Sequence, residues 1–302
     1  MARRITVGVP DDGPYALGLD AAGDVWASLV YSGRLARVRG AEVAVHDLDA
    51  PGSRPSRFAT TPDGSLWCTR TGDHRVDRLV DGTWHGVDVG AGTGPYDVTA
   101  GPDGAAWFTA IEAEAVGRID PTTEEVTLHP LPVAGMPAMI TTGPDGALWC
   151  TLNRVGALAR LDPASGGIAL TPLPDDGCGP VGIAADADGL WFVEILAGRV
   201  GRLDLDGRLT EHDLPDRAAK PHDVIATAGG CVVSLWGASG LVRLDDDGTV
   251  TALAGLGPDD HPHGLLLRHG ELWVACGSAA VVVLNPNRPI AEAESDLSRW
   301  SP

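Results

Sequence analysis

The chain has a single lysine. Of its 22 basic residues all but Lys220 are arginine, and 41 acidic residues set against them give a formal net charge of −19. A surface of that sign repels phosphates, so nucleic acid is excluded as an expected partner. With one amine in the whole chain, placed in a loop just before Pro221, Schiff-base chemistry has almost no material. Aromatic residues make up only 5% of the sequence. No stretch approaches the roughly eighteen continuous apolar residues of a membrane span, and MARRITVGVP lacks the apolar core of a signal peptide. The expectation is a cytoplasmic protein with no membrane partner. Five cysteines, Cys68, Cys150, Cys178, Cys231 and Cys276, form an odd set with no CxxC pair. Reduced and mostly buried thiols are expected rather than a disulfide framework. GxSxG and HExxH are both missing, which removes the signatures of serine hydrolases and zinc proteases.

What the chain does have is turn formers and repetition. It holds 40 Gly and 23 Pro in 302 residues. One phrase returns seven times: a Pro with a variable residue, a short apolar run, Asp-Gly, a Trp, then about twelve residues to an RL or RI ending. It is read at 14–38, 56–79, 95–119, 137–161, 180–203, 221–244 and 262–284. Its anchors are Trp26, Trp67, Trp107, Trp149, Trp191 and Trp273, with Val232 or Val233 in place of the sixth; they lie 40 to 42 residues apart. That spacing is the length of one four-stranded propeller blade. Within each repeat, alternating stretches joined by DG pairs read as antiparallel hairpins. GAGTG at 90–94, DADG at 186–189 and DDDG at 245–248 fall at such turns and not at phosphate or calcium loops.

The fold class predicted is all-β, a seven-bladed propeller forming one domain over residues 1–302, since the repeat leaves no room for a linker. Six repeats carry a fourth strand and the seventh lacks one, while Ile5, Val7 and Val9 form an unclaimed alternation near the start. The N-terminal segment is therefore expected to supply the outer strand of the last blade, because an unpaired edge would template aggregation.

Propellers serve many functions, so the site must be argued from side chains. The innermost strand of each blade starts at the central channel, and the position after the leading Pro reads Tyr15, Ser56 (beside Arg57), Tyr96, Ala138, Val181, His222 and His263. Two adjacent blades thus carry PH in one register, which predicts two imidazoles at one side of the same mouth. Imidazole is the side chain poised to accept a proton near neutral pH. His261 stands two residues before His263, a step that keeps side chains on one face of a strand. A second ring, three or four residues after each Trp, includes Arg70, Glu194 and Trp236; Glu194 is its one carboxylate, and Trp236 is a candidate aromatic wall. His46, His74, His85, His129, His212 and His269 fall in outer strands or turns and are expected to be solvated.

GPDGAAWFTA (101–110), GPDGALWCTL (143–152) and GPVGIAADADGLWFVEILAGRVGRL (179–203) together carry a resemblance. Their repeated form, P-x-G-I-x-x-G-P-D-G-A-L-W-F-T-E followed by I-G-R-I, resembles the streptogramin B lyase (virginiamycin B lyase) family of seven-bladed propellers over nearly the whole chain. The resemblance implies a carbon–oxygen lyase of antibiotic resistance that linearises a cyclic depsipeptide by elimination at its ester. The histidine of the family's EPHG motif, the proton-abstracting base, corresponds to His263 in HPHG. The family's substrate-contacting histidine corresponds to His222 in RAAKPHDV. The resemblance also implies magnesium, held by two glutamates, but those positions are His261 and Gly277 here. Magnesium prefers hard oxygen donors, so a family-type metal site is not expected.

Three readings follow. In one, His263 abstracts a proton next to a carbonyl, with His222 or His261 donating a hydrogen bond in place of the metal. In another, His222, His261 and His263 hold a softer metal such as zinc. In the third, the propeller binds or shapes a natural product without a base, within a biosynthetic pathway or outside one. The expected partner throughout is a small cyclic or peptide-like molecule, contacted by His222, Tyr15, Tyr96, Arg57, Glu194 and Trp236, and taken up by a monomer.

Overall fold

The computed structural model describes residues 2–48 and 50–287; the last fifteen residues of the predicted domain lie outside them. Among the described residues all regular structure is β-strand, arranged as seven four-stranded antiparallel sheets, a seven-bladed propeller. Blades are numbered 1 to 7 from the sheet that begins at Pro14. Blade 7 takes three strands from the end of the chain and its outer one, Arg3–Thr6, from the beginning; Ile5 stands opposite Val281 and Thr6 opposite Ala280. The predicted closure is therefore present, although the strand stops at Thr6. Val7 is buried beyond the strand and Val9 is exposed. No helix is long and apolar enough to cross a membrane among the described residues, and all five cysteines are free and buried.

The repeated residues explain why each blade forms. Trp26, Trp67 and Trp107 are fully buried between blades. In blades 3, 4 and 5 the indole N–H donates to an Asp of the preceding turn, from Trp107 to Asp103, Trp149 to Asp145 and Trp191 to Asp186, at 2.9–3.1 Å. The arginine of each RL or RI ending bonds that same carboxylate: Arg118, Arg160 and Arg202 reach it at 2.6–2.7 Å. Arg202 and Arg160 also lie 4.8 and 5.9 Å from the indole centroids of their blades. The phrase is thus one physical unit, an aromatic core anchor whose polar edge is closed by an Asp–Arg pair.

Two features of the innermost strands shape the channel mouth. The residue before each leading proline, namely Gly13, Arg54, Gly94, Met136, Gly179, Lys220 and His261, has a φ between +42° and +64°. Four of the seven are not glycine, and each costs about 1–3 kcal/mol of strain that the ring must offset. The second feature is a bulge directly after the proline. In blade 3, Pro95 pairs with Ala110 and Val98 with Phe108, so Tyr96 and Asp97 together oppose Thr109 alone. The same shift recurs in all seven blades.

A hydroxyl fills the bulge in five blades. Ser28, Thr69, Thr109, Thr151 and Ser234 each accept from a backbone N–H of their own inner strand. Each donates, at 2.6–2.8 Å, to the carbonyl of the residue after the proline in the next blade. Blades 5 and 7 hold Val193 and Ala275 at that position. In their inner strands stand Gly182 and Gly264, where a Cβ would come within 2.7 Å of the next blade's backbone, the His222 carbonyl in one case and the Tyr15 carbonyl in the other. These two seams are closed by direct backbone approach, and they flank the two PH strands.

Candidate active site

The inner strands of blades 1, 3, 6 and 7 deliver Tyr15, Tyr96, His222 and His263 to one mouth of the channel. The Tyr15 hydroxyl is hydrogen-bonded to that of Tyr96 and lies 3.0 Å from His222 Nε2. His263 stands edge-on to His222, with ring centroids 5.0 Å apart at 85°, and 4.8 Å from the Tyr15 ring. The register read from the repeat therefore brings the two imidazoles together. Ser234 locks them further: its hydroxyl accepts from the Asp223 N–H at 3.0 Å and donates to the His263 carbonyl at 2.7 Å, joining the two PH strands.

A pocket of about 220 Å³ opens beside this cluster, bordered among others by Tyr15, Tyr31, Trp236, His261 and His263. Trp236 is partly exposed, its ring 6.1 Å from that of His263. The Lys220 ammonium sits 5.2 Å from the indole centroid. Tyr31 was not singled out in the sequence. It is 72% exposed and covers the pocket edge above Gly13.

One step deeper lies a tier of charge. Both terminal nitrogens of Arg57 donate to the Asp223 carboxylate at 3.1 Å, and its Nε reaches Asp97 at 3.4 Å. Neither aspartate was read as a site residue. Strict period-two alternation turns the third position of the strand away from the channel; the bulge turns it back, so two consecutive residues face inward. The available signal was the shared register of Arg57, Asp97 and Asp223, each two places after a leading proline.

Burial dominates the electrostatics. It pushes His222 down to about 3, helped by the Arg57 charge. It also pushes His263 down to about 3, with His222, Arg57 and His261 adding to the effect and Asp223 opposing it. Both rings are neutral bases at physiological pH. Burial raises Tyr15 well above the usual phenol range, reinforced by Tyr96, so its hydroxyl keeps its proton.

Two predicted members sit elsewhere. Glu194 is fully buried, and its carboxylate accepts from Arg199 at 2.5 Å within its own blade. Burial pushes it up to about 7, with Arg199 opposing and Glu211 contributing. Arg70, at the same repeat position in blade 2, likewise turns into its blade and pairs with Asp77. Of this second ring Arg70 and Glu194 face the blade interior, whereas Trp236 borders the pocket at the mouth. His261 borders the pocket but precedes the strand at φ +42°, so the two-residue step does not align it with His263. Its Nδ1 lies 3.2 Å from Ser239 Oγ and 3.3 Å from the Trp236 carbonyl.

The family model described as the virginiamycin B lyase family matches residues 1–284. The chain belongs to that family. A virginiamycin B lyase from Nocardia farcinica is 38% identical over 223 residues, covering 74% of this chain and 77% of the relative. The crystal structure of virginiamycin B lyase from Staphylococcus aureus superposes with a TM-score of 0.89 at 26% identity, covering 94% of this chain and 99% of that one. A catalytically inactive histidine-to-alanine form of the staphylococcal enzyme, solved with quinupristin, matches equally, with the same TM-score, identity and coverage.

Within a virginiamycin B lyase fold, magnesium is the implied cofactor, and the donors present do not fit it. Where the resemblance takes two carboxylates, this chain offers an imidazole already bonded to Ser239 and a glycine, Gly277, whose N–H donates to the His261 carbonyl at 3.3 Å. Among the described residues no group of three or more His, Cys, Asp or Glu side chains is placed to hold a metal ion. His222, His261 and His263 therefore share a neighbourhood without forming a three-ligand set.

Proposed function

We propose that the protein is a streptogramin B lyase-like carbon–oxygen lyase, a monomer that opens a cyclic depsipeptide or a related peptide-like natural product with His263 as the base. The observation that carries this is the His263 ring. It is neutral and borders the pocket, and its Nδ1 is buried without a partner. A substrate in that pocket would present the C–H next to a carbonyl to Nε2, the ring nitrogen that is not buried. The imidazole takes the proton, the electron pair left on carbon forms a carbon–carbon double bond, and the adjacent carbon–oxygen bond breaks to release the ester as a carboxylate. The proton leaves the imidazolium to solvent. Tyr15, whose hydroxyl is held by His222, orients the other side of the substrate, and the Trp236 and Tyr31 rings form apolar walls.

Family membership supports this reading, as does the loss of catalysis named for the histidine-to-alanine staphylococcal form. The replaced donors at His261 and Gly277 favour turnover that does not depend on magnesium, on a type B streptogramin or on a relative of it. The test is mass spectrometry and kinetics on a type B streptogramin, with magnesium and with a chelator. Elimination yields a linear product of unchanged mass, whereas hydrolysis adds one water. His263→Ala should abolish turnover and retain binding. A product heavier by one water, or wild-type turnover lost on chelation, would overturn the reading.

A further inference from the structure

We propose that Arg57 is a positioning residue, a brace across the channel that fixes His222 and His263 from beneath, and not a substrate ligand. Arg57 projects from the inner strand of blade 2 and grips Asp223 on that of blade 6, three blades away around the shorter arc. Every oxygen of the two aspartates is committed. Asp223 accepts from both terminal nitrogens of Arg57, from Val224 N–H at 2.9 Å and from Leu265 N–H at 3.0 Å. Asp97 accepts from Arg57, from Val98 N–H at 2.9 Å and from Ile140 N–H at 2.9 Å. Asp97 and Asp223 are 7% and 3% exposed at their side chains, and the Arg57 side chain is 14% exposed.

The consequence for the site is geometric. Asp223 adjoins His222 in sequence, and through Leu265 it holds the strand of blade 7 two residues beyond His263. One guanidinium thus sets both PH strands against the opposite wall, from which Tyr96, next to Asp97, reaches back to Tyr15. A guanidinium suits the task because it bridges two carboxylates in a fixed fork, which an ammonium cannot do. Three of its five N–H groups are held by Asp97 and Asp223 and the side chain is largely buried, which leaves little to offer a substrate.

The inference depends on the lyase reading for its kinetic arm only. Arg57→Met and Arg57→Lys are compared with wild type for kcat and KM on a type B streptogramin. Arg57→Met should lower kcat by tenfold or more with KM changed less than threefold, and Arg57→Lys should recover part of kcat. Should Arg57→Met fail to fold, R57M/D223N removes one of the two stranded carboxylates and carries the same expectation. A raised KM with kcat intact would identify a substrate ligand and overturn the proposal. Should wild type not turn over streptogramins at all, the lyase reading fails separately. The brace is then tested by crystal structures of R57M or R57M/D223N, in which the His222–His263 ring separation must depart from 5.0 Å. Unchanged rings in those structures would overturn it.

Discussion

Two imidazoles held neutral in the channel mouth impose an acid limit on stability, and His222→Asn measures it. Both rings are depressed from 6.5 to about 3 in the folded protein. Between those values the unfolded chain binds protons that the folded one refuses, so stability is full above the unfolded value and falls as the pH drops toward the folded one. At one pKa unit per 1.36 kcal/mol, moving from about pH 7.5 to about pH 5 costs about 2 kcal/mol for each ring, or about 4 kcal/mol for the pair. Asn keeps a polar group near Tyr15 but takes up no proton. The variant should therefore lose about 2 kcal/mol or less over the same interval, and less still if the His263 ring, freed of its neighbour, titrates higher. Glu194, raised by burial to about 7, works in the opposite sense, because it favours the folded state at low pH. It is common to both proteins and cancels in the difference. The assay is urea unfolding of wild type and variant at both pH values. Parallel losses, equal to within about 0.5 kcal/mol, would show that the buried-imidazole argument is wrong.

Three further predictions concern the seams. Ser234→Ala strips partners from the buried Asp223 N–H and His263 carbonyl, so it should cost about 1–3 kcal/mol and lower kcat; urea midpoints and kinetics check both. Thr151→Val, at the equivalent seam of blade 4, should cost a similar amount and leave turnover unchanged, which separates a general seam effect from one on the site. Gly264→Ala would bring a methyl group within 2.7 Å of the Tyr15 carbonyl and of the Ala16 Cα. Both are backbone atoms, so the blade must shift; the melting temperature should fall and turnover with it, and a variant with wild-type stability would contradict the close approach.

The fold was legible because its signals are repeated and local. Six tryptophans and one valine at a blade-length period set the number of sheets, and the seventh repeat's missing strand identified the N-terminal segment as its replacement. The same period placed His222 and His263 side by side, since residues one repeat apart occupy adjacent blades at one height. Period-two reasoning failed wherever the backbone leaves the plain extended form. His261 sits in a left-handed turn, so its distance from His263 in sequence said nothing about a shared face. Asp97 and Asp223 lie in bulges, where a residue expected to point into the blade points into the channel instead. Glu194 and Arg70 failed for a different reason. They lie on the second strand, and their repeat position faces the interior of the blade at every turn of the ring.

The strongest unread signal was a covariation within the chain itself. Wherever the second strand lacks its bridging hydroxyl, at Val193 and Ala275, the inner strand of that blade carries glycine, at Gly182 and Gly264. The two solutions are physically exclusive. A hydroxyl spans the seam through a hydrogen bond and holds the strands apart; a glycine lets backbone meet backbone and leaves no room for the bridge. The sites of direct approach adjoin the His222 and Tyr15 carbonyls, so the two glycine seams border the residues whose spacing the chemistry needs. A propeller built from near-identical units thus acquires one unlike sector, and the position of that sector points to the mouth between blades 6 and 1 before any titratable group is considered.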